Sequence, residues 1–509
     1  MIKFLGHASF YLKFENTSVV VDPWFSKTGA FLGSWAQFPD NSKIDFSWKE
    51  DLDYVCITHE HEDHFDLEWL STLNNKVKII IPKYEDRYLF TILSQNVDND
   101  IIEVPTKTRY KINDSITICP VIQSVPIWDD CSYIFETPMG TFLDMNDMKP
   151  ANEDLEWIKE NFDIDIFAMQ YSGANWHPMV YDYPEEEKVE ISKKKIKIKY
   201  DAVIRLFKEF DAKYLVPNFG PPCFLSDDQF DLNFSDHSIF PTQDHFYEYL
   251  KEVNLQDKTA ILLPGDEFTE ESFRDVTTQN LQHECFTNKK EYLKRYKEER
   301  NKILNGYLEN IETPPYKVID KVKEYFQPFI RKNKFYRDQI NGSMLLEIKG
   351  AYNEDILVDF SKPINSVKPY EGEKYFCKFE IESKFLNLIL DYKITWEELL
   401  LSLRFKAHRW PDEYNESLVV FLRFMRNYSE AAIKQYEVYE TSKLLNETFS
   451  LNYEGEELEV QRYCPHALGD LSKGEVVDGH VICPLHGWEF NLKTGACKGK
   501  SKYCIKVDK

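Results

Sequence analysis

Residues 52–64 read LDYVCITHEHEDH, an apolar run that leads directly into a cluster of polar side chains. The run over residues 52–58 is typical of a short buried strand, and the FDLEWLSTL that follows has helical spacing. Three histidines and one carboxylate lie within six residues at this junction: His59, His61, Asp63 and His64. Imidazole and carboxylate groups are common metal ligands, so the loop is a candidate metal site. A solvated polar loop is the alternative.

The surrounding sequence resembles a known fold. His-x-His-x-Asp-His after an apolar strand that ends in Thr resembles the signature of the metallo-β-lactamase fold, and Gly6–Phe10 and Val19–Pro23 resemble the opening of its lactonase and phospholipase D branches. The resemblance implies an αββα architecture in which Asp22 braces the histidine loop from behind the metal ligands. It also implies that Asp147, at the end of GTFLDMND, is a metal ligand. Asp144 or an ordinary strand-end aspartate is the alternative.

Two departures from this family change the expected metal content. The family supplies one histidine on a strand before the bridging aspartate and another after a late strand. The corresponding stretches here, residues 119–125 and 215–223, contain no histidine, and Gln123 and Asn218 lie near those places. The ligands that remain approach the two-histidine, one-carboxylate set of non-haem iron. They are His59, His61, His64 and Asp147. We therefore expect one bound iron rather than two zinc ions, with zinc as the alternative metal.

Three side chains are predicted to take part in the chemistry at this site. Asp63 would assist a metal-bound water if the site were hydrolytic. Asn218 stands where the family has its late histidine. His177 lies in a loop that contains Gly and Pro, and we predict a pocket residue there, with a replacement metal ligand as the alternative.

A second set of ligands lies near the C-terminus. Cys464-Pro-His466 is followed, after 16 intervening residues, by Cys483-Pro-Leu-His486. This is the ligand set of a Rieske [2Fe-2S] cluster, in which two thiolates hold one iron and two imidazoles hold the other. A structural zinc site is the alternative. Respiratory Rieske proteins carry an additional cysteine in each loop, at places that look like Gly469 and Leu485 here. The segment therefore resembles the Rieske ferredoxins associated with oxygenases.

The length of 509 residues predicts about three domains. We place a metallo-β-lactamase-like α/β domain at residues 1–290, an α+β middle region at 291–440 and an all-β Rieske domain at 441–509. The middle region includes a strand at Ser343–Lys349 and a helix over residues 395–404. The charged stretch KKEYLKRYKEERNKIL, residues 289–304, is predicted to be a stiff helix that acts as a linker or an outer helix.

Hydropathy, cysteine content and net charge indicate the cellular compartment and the classes of partner that this protein can have. No run of eighteen apolar residues is present, so no membrane span is predicted, and the N-terminus lacks the pattern of a signal peptide. The ten cysteines suggest no disulfide framework, which predicts a reducing, cytoplasmic location. A net charge of −24 argues against nucleic acid as a partner. The oligomeric state is left open.

The combination of the two metal motifs resembles the CMP-N-acetylneuraminate hydroxylase family and its bacterial relatives, although the order of the domains differs. The resemblance implies an iron-dependent oxygenase, a monooxygenase or hydroxylase. A ferredoxin- or cytochrome-type donor with its reductase would reduce the cluster at exposed edges of His466 and His486. The electron would pass to the N-terminal iron, and dioxygen would hydroxylate a small molecule such as a nucleotide-linked sugar. One alternative is a metal-dependent hydrolase with a regulatory Rieske domain, and another is an electron carrier.

Overall fold

The structure is a computed structural model that describes residues 1–125, 130–410, 412–425, 430–442 and 445–508. The chain divides into two compact units. Unit 1 comprises Met1–Ala174 and Val189–Tyr307, and unit 2 comprises Asn175–Lys188 and Leu308–Lys509. A short segment from the first half of the chain is therefore part of unit 2.

Unit 1 contains two β-sheets. Its strands are β1 (Ile2–Gly6), β2 (Ser9–Phe14), β3 (Thr17–Val21), β4 (Tyr54–Cys56), β5 (Lys78–Pro82), β6 (Ile101–Val104), β7 (Tyr110–Lys111), β8 (Thr117–Ile122), β9 (Cys131–Thr137), β10 (Gly140–Asp144), β11 (Ile166–Gln170), β12 (Tyr214–Asn218) and β13 (Glu267–Phe268). The first sheet has the order β13-β1-β2-β3-β4-β5-β6, and the second has the order β12-β11-β10-β9-β8-β7. Side chains from both sheets, such as Phe10 and Phe142, pack together in one apolar interior.

Helices connect and flank the two sheets. They are α1 (Leu67–Leu70), α2 (Tyr88–Asn96), α3 (Asn152–Asn161), α4 (Glu185–Glu209), α5 (Gln243–Glu252), α6 (Phe273–Asn280), α7 (Glu284–Thr287) and α8 (Lys289–Glu309). Helices α1 and α2 pack on the first sheet, where Trp69 and Leu93 join Val20. Helices α3, α4 and α5 pack on the second sheet, where Phe207 joins Phe167. The αββα arrangement of the metallo-β-lactamase fold is thus confirmed.

Helix α8 confirms the helical prediction for residues 289–304. Its buried side chains, which include Leu293 and Leu304, pack against Phe38 and Cys223 of unit 1. The stretch is therefore an outer helix of unit 1, which was one of the two expected roles. The boundary between the units, at Tyr307 and Leu308, lies in the same helix, so the linker role stays a prediction.

Unit 2 contains a five-stranded sheet of the order β16-β15-β14-β17-β18. Its strands are β14 (Ser343–Lys349), β15 (Glu354–Asp359), β16 (Val367–Pro369), β17 (Cys377–Glu382) and β18 (Phe405–Arg409). The strand expected at Ser343–Lys349 is confirmed. The helices are α9 (Ile319–Lys332), α10 (Lys334–Ile340), α11 (Ser383–Leu390), α12 (Trp396–Leu401), α13 (Glu416–Phe424) and α14 (Glu430–Ser442). Helix α12 ends before the predicted residue 404, while Thr395 caps its start.

The C-terminal part of unit 2 is built of short strands: β19 (Thr448–Tyr453), β20 (Glu456–Gln461), β21 (Val476–Val477), β22 (His480–Ile482), β23 (Glu489–Asn491) and β24 (Val507–Asp508). They form two three-stranded sheets, β19-β20-β24 and β21-β22-β23. This is the all-β domain expected at the C-terminus. Among the helices of the described residues, none combines the length and the apolar character needed to cross a bilayer.

Candidate metal centres

The histidine loop of unit 1 follows β4, which runs parallel to β3 and β5. Asp22 comes directly after β3, so its carboxylate reaches the loop from the neighbouring strand. It accepts hydrogen bonds from Thr58 N at 2.8 Å and Thr58 Oγ1 at 2.7 Å, and its Oδ2 lies 3.0 Å from His64 Nδ1. The bracing contact expected of Asp22 is present, and it leaves Nε2 of His64 as the ring nitrogen that could bind a metal.

Six donor side chains lie in two adjacent groups of three. The groups are His59, His61 and Asp147, and His7, Asp63 and His64. Within each group the ligand atoms lie within 4.8 Å of one another. The groups adjoin, because the rings of His59 and His64 are 4.3 Å apart and Nε2 of His64 lies 3.7 Å from Oδ2 of Asp147. The structure thus brings together the five side chains proposed from the sequence and adds His7.

Strong electrostatic coupling links the buried pair Asp63 and His64. Burial raises the pKa of Asp63, but charge on His64 and the hydrogen bond from His7 outweigh burial and lower that pKa to about 2. Burial lowers the pKa of His64, whereas Asp63, Asp22 and Asp147 raise it to about 9. A proton on His64 therefore compensates the carboxylates in the metal-free chain, and a bound cation would displace that proton.

Asp144 and Asn218 lie behind the donor groups rather than in them. Asp144 is fully buried at the end of β10, and burial followed by the charge on Asp22 raises its pKa well above the usual range. Both effects favour the neutral form of this carboxyl, and the buried amide of Asn218 lies beside it. This geometry favours Asp147 over Asp144 as the ligand. Asn218, which we expected to act in catalysis, contacts this carboxyl.

Gln123 and His177 also lie outside the two donor groups formed by the described residues. Oε1 of Gln123 accepts a hydrogen bond from the backbone N–H of Lys149 at 3.1 Å. His177 belongs to unit 2, where its ring lies 5.0 Å from Tyr181 and 5.8 Å from Tyr183. The prediction of a loop at His177 holds, since no helix or strand includes it.

The sequence analysis missed one residue that contacts Asp147 and a second residue that contacts the first. Gln170, at the end of β11, donates from Nε2 to Oδ1 of Asp147, and Lys199 of α4 donates from Nζ to Oε1 of Gln170. Burial and the neighbouring Lys149 lower the pKa of Lys199 to about 7. Gln170 was identifiable in principle, because it ends an apolar strand at the carboxyl edge of the sheet. Lys199 lies in the run KKKIKIKY, which carries no signal that one lysine is half-buried and directed at Gln170.

The second centre lies in two loops of unit 2. The backbone N–H groups of Leu468 and Gly487 donate to the carbonyl oxygens of Cys464 (3.0 Å) and Cys483 (2.8 Å), which tightens both loops. Cys464 and Cys483 are buried. Burial, followed by the adjacent Cys483 thiol, raises the pKa of Cys464 well above its usual range. The rings of His466 and His486 lie 4.7 Å apart. All four predicted cluster ligands are thus brought together.

The close packing around these ligands fits a Rieske cluster. A Cβ atom on Gly469 would lie 2.7 Å from Sγ of Cys483 and 3.0 Å from Cβ of Leu485. Gly469 and Leu485 are therefore neighbours, as expected of positions that carry a disulfide in respiratory Rieske proteins. Two adjacent thiols and two adjacent imidazoles form the donor set that the cluster requires.

The middle region of unit 2 reaches this centre through Glu416, the first residue of α13. Oε1 of Glu416 lies 2.8 Å from Nε2 of His466, and the hydroxyl of Tyr503 donates to Oε2 of Glu416 at 2.7 Å. The ring of His466 also stacks on Trp488 at 4.0 Å. His466 is only 6% exposed, whereas His486 is partly exposed. The expectation that the edges of both histidines are exposed is therefore wrong for His466.

Comparison with known proteins identifies three domains. Family profiles match residues 1–116 as a beta-lactamase superfamily domain, residues 318–441 as an Rv3818-like, SCP2-like domain and residues 424–505 as a Rieske [2Fe-2S] domain. Over 530 aligned residues, 99% of both chains, the protein is 30% identical to a Rieske 2Fe-2S iron-sulfur protein of Mycolicibacterium smegmatis.

Two partial relatives are oxygen-using enzymes by name. One is the 4-amino-L-phenylalanyl-[CmlP-peptidyl-carrier-protein] 3-hydroxylase of Streptomyces venezuelae. The two sequences are 26% identical over 113 aligned residues, and this alignment covers 20% of each chain. The other is the chlorophyllide a oxygenase of Chlamydomonas reinhardtii. It is 53% identical to this protein over 38 aligned residues, an alignment that covers 8% of this chain and 6% of that relative.

Proposed function

Because this chain belongs to the family of Rieske 2Fe-2S iron-sulfur proteins represented by its full-length relative from Mycolicibacterium smegmatis, we propose that it is an iron-dependent oxygenase. The observation that carries this proposal is the presence of two different donor sets in one chain. Unit 2 holds the Cys and His ligands of a Rieske cluster, and unit 1 holds a separate group of His and Asp donors. The hydroxylase and the oxygenase among the partial relatives support the same reaction class.

Each set of residues has a distinct part in this reaction. When bound, the cluster supplies single electrons and the non-haem iron activates dioxygen. Hydroxylation of a C–H bond uses one dioxygen, two electrons and two protons, and it yields the alcohol and water. His59, His61 and Asp147 would hold the iron, and Gln170 would fix the orientation of Asp147. The donor, a ferredoxin- or cytochrome-type protein with its reductase, would dock at the partly exposed edge of His486.

The substrate stays a prediction. The prediction that the substrate is a nucleotide-linked sugar rests on the resemblance to CMP-N-acetylneuraminate hydroxylases alone. The three-domain assignment at residues 1–290, 291–440 and 441–509 and a reducing, cytoplasmic location are likewise part of this proposal. Asp63 remains a proposed catalytic residue and His177 a proposed pocket residue. Electron transfer would require unit 1 and the Rieske domain to approach each other within one chain or within an oligomer.

A metal-dependent hydrolase is the second candidate. The match of residues 1–116 to the beta-lactamase superfamily and the burial of Asp63 beside His64 favour it. In that case Asp63 would assist a metal-bound water, and the Rieske domain would be regulatory. An electron carrier would need no metal in unit 1. Metal analysis separates the three: iron in addition to the two cluster irons supports the oxygenase, zinc supports the hydrolase, and cluster iron alone supports the carrier.

The test of activity is a single turnover. The protein is reduced under anaerobic conditions, mixed with labelled dioxygen and candidate substrates, and the products are analysed by mass spectrometry. The proposal expects a product that gains one labelled oxygen atom, and it expects none from His61→Ala. That variant should lose the unit 1 iron and retain the Rieske absorption. Product oxygen that derives from water, without any need for reductant, would instead establish hydrolysis.

A further inference from the structure

We propose that Lys199 and Lys149 bind an anionic group of the substrate, a carboxylate or a phosphate, beside the metal donors of unit 1. Lys199 lies in α4, and Lys149 follows Asp147 by two residues. The inference rests on the proposed oxygenase only for the statement that the bound anion belongs to the substrate. Anion binding itself requires neither dioxygen nor electrons, so it can be tested apart from turnover.

A short chain of hydrogen bonds directs Lys199 towards the metal donors. Nζ of Lys199 donates to Oε1 of Gln170, and Nε2 of Gln170 donates to Oδ1 of Asp147. A lysine ammonium group has three N–H donors. Within the described part of the chain, Gln170 provides the one acceptor for Lys199. Two donors of Lys199 are therefore available to a ligand at the edge of the metal site.

Among the residues that the structure describes, no carboxylate forms a salt bridge with Lys199 or Lys149. Such partners are plentiful, because the chain has 86 Asp and Glu residues against 62 Lys and Arg. Lys197, in the same helix as Lys199, pairs with Asp201 at 2.6 Å. Two unpaired ammonium groups beside one site therefore indicate a place for an anion that comes from outside the chain.

The two ammonium groups lie close enough to repel each other. Burial lowers the pKa of Lys199, and the charge of Lys149 lowers it further, whereas Asp147 and Asp130 each raise it less strongly. Both lysines are half-buried, so water screens their repulsion only in part. A cation bound by Asp147 would add to the positive charge. An anion that contacts both lysines would offset the repulsion through charge-assisted hydrogen bonds.

The chemistry of these donors defines the class of ligand. A lysine ammonium group is a compact charge that binds carboxylate and phosphate oxygens alike. A neutral group in the same place would leave the repulsion uncompensated. The amide of Gln170 separates Lys199 from Asp147, so an anion on Lys199 would anchor the substrate without replacing Asp147 as a metal ligand. The lysines would thus orient the substrate for reaction at the neighbouring metal.

Isothermal titration calorimetry of the full-length protein, with its metals bound, tests the inference. Inorganic phosphate and propionate are the two probes, and the comparison between them distinguishes a phosphate site from a carboxylate site. At least one probe should bind wild-type protein, and Lys199→Met should weaken that binding by about tenfold or more, because it removes a charge-assisted hydrogen bond. The matched control is Lys197→Met, which should bind as wild type does.

Two further variants separate an anion-binding residue from one that only orients Gln170. Lys199→Arg keeps the charge and should retain the affinity for the probe. Lys149→Met leaves the contact between Lys199 and Gln170 in place and should still weaken the binding. It also keeps the test decisive if Lys199→Met fails to fold.

Three results would overturn the inference. They are the absence of binding of both probes to wild-type protein, equal affinities in wild type and Lys199→Met, and loss of the unit 1 metal from Lys199→Met. Equal affinities would show that the anion binds the metal alone, and loss of the metal would show that Lys199 serves only to hold Asp147 in place. Wild-type protein that binds a probe but incorporates no labelled oxygen would contradict the oxygenase and retain the anion site.

Discussion

Glu416 is the residue through which the middle region of unit 2 contacts a cluster ligand. Its carboxylate lies 2.8 Å from Nε2 of His466 and is 2% exposed. Negative charge there favours the oxidised cluster, so Glu416→Gln should raise the midpoint potential. Charge-assisted and neutral hydrogen bonds differ by about 1 kcal/mol, which corresponds to roughly 40 mV for one electron. Spectroelectrochemistry measures this shift.

The matched control for this prediction is Glu413→Gln. Glu413 lies on the same segment and contacts Ser501 rather than a cluster ligand. Its substitution should leave the potential unchanged. An unchanged or lowered potential in Glu416→Gln would show that Glu416 does not influence the cluster through His466.

Lys199 should make the stability of the protein depend on pH. Its pKa is lowered from 10.5 to about 7 in the folded chain, so the unfolded chain binds this proton more tightly. The resulting penalty is fully present below pH 7, and it disappears as the pH rises towards 10.5. Lys199→Met should therefore raise the unfolding midpoint at pH 6 to 7 relative to wild type, by an amount that shrinks at higher pH.

Denaturant unfolding at several pH values measures this effect. The control is Lys197→Met, because Lys197 is exposed on the same helix and pairs with Asp201 at 2.6 Å. Its effect should be small and should not follow the titration of Lys199. A difference for Lys199→Met that is the same at pH 6 and pH 10 would contradict the prediction.

Residues with local signatures were identifiable from the sequence, whereas residues brought in from other elements were not. The ligands from His59 to His64 occupy one loop, and Cys464, His466, Cys483 and His486 have a diagnostic spacing. His7 comes from the turn after β1 and Glu416 from α13. Neither role follows from spacing, because each depends on packing between elements distant in sequence.

At the scale of elements, the loop that contains Gly469 should be intolerant of any side chain. A Cβ there would lie 2.7 Å from Sγ of Cys483, a contact shorter than atoms tolerate. Gly469→Ala should therefore prevent assembly of the cluster, and iron and sulfide per chain should fall with the Rieske absorption. Normal cluster content in this variant would show that the loop can move to make room.

Gly306→Ala is the control, and it carries its own prediction. Gly306 lies inside α8, and a Cβ there meets nothing within 4 Å. Alanine in a helix interior is favoured over glycine, so this substitution should stabilise unit 1 by roughly 0.5–1 kcal/mol. The cluster content should be unchanged. Denaturant unfolding and iron analysis check both parts.

The sequence pattern predicted which segments form helices and strands better than it predicted which segments pair with one another. The strand β14 and the helix α8 follow directly from apolar pattern and composition. The backbone N–H of Ala407 in β18 donates to the carbonyl of Val180 at 2.9 Å, so the segment Asn175–Lys188 extends the sheet of unit 2. No sequence pattern indicated this pairing, because an exposed strand edge accepts any segment with suitable backbone geometry.

At the scale of the whole molecule, the Rieske domain should retain its cluster but not its potential when it is isolated. A fragment of residues 440–509 contains all four ligands and should give the rhombic electron paramagnetic resonance signal of a reduced Rieske cluster. It lacks Glu416, so its potential should be raised, as in Glu416→Gln. A fragment of residues 308–509 restores Glu416 and should match the full-length protein. An all-cysteine spectrum from either fragment would refute the cluster assignment.

The proposed oxygenase also requires communication between the two centres. Stopped-flow absorption can follow the pre-reduced cluster after mixing with dioxygen and substrate. Wild-type cluster should be reoxidised faster than cluster in His61→Ala, because only the wild type retains the unit 1 metal. Equal rates would rule out direct transfer and favour the electron carrier.

Mixed samples of two inactive variants determine whether the electron passes within one chain or between subunits. His61→Ala lacks the unit 1 metal, and Cys483→Ser lacks the cluster. If electrons cross a subunit interface, hetero-oligomers of the two variants should recover turnover, because an intact cluster then faces an intact unit 1 site. If electrons stay within one chain, mixing should recover none. The result therefore establishes whether the cluster and the unit 1 metal that react together belong to one chain or to two.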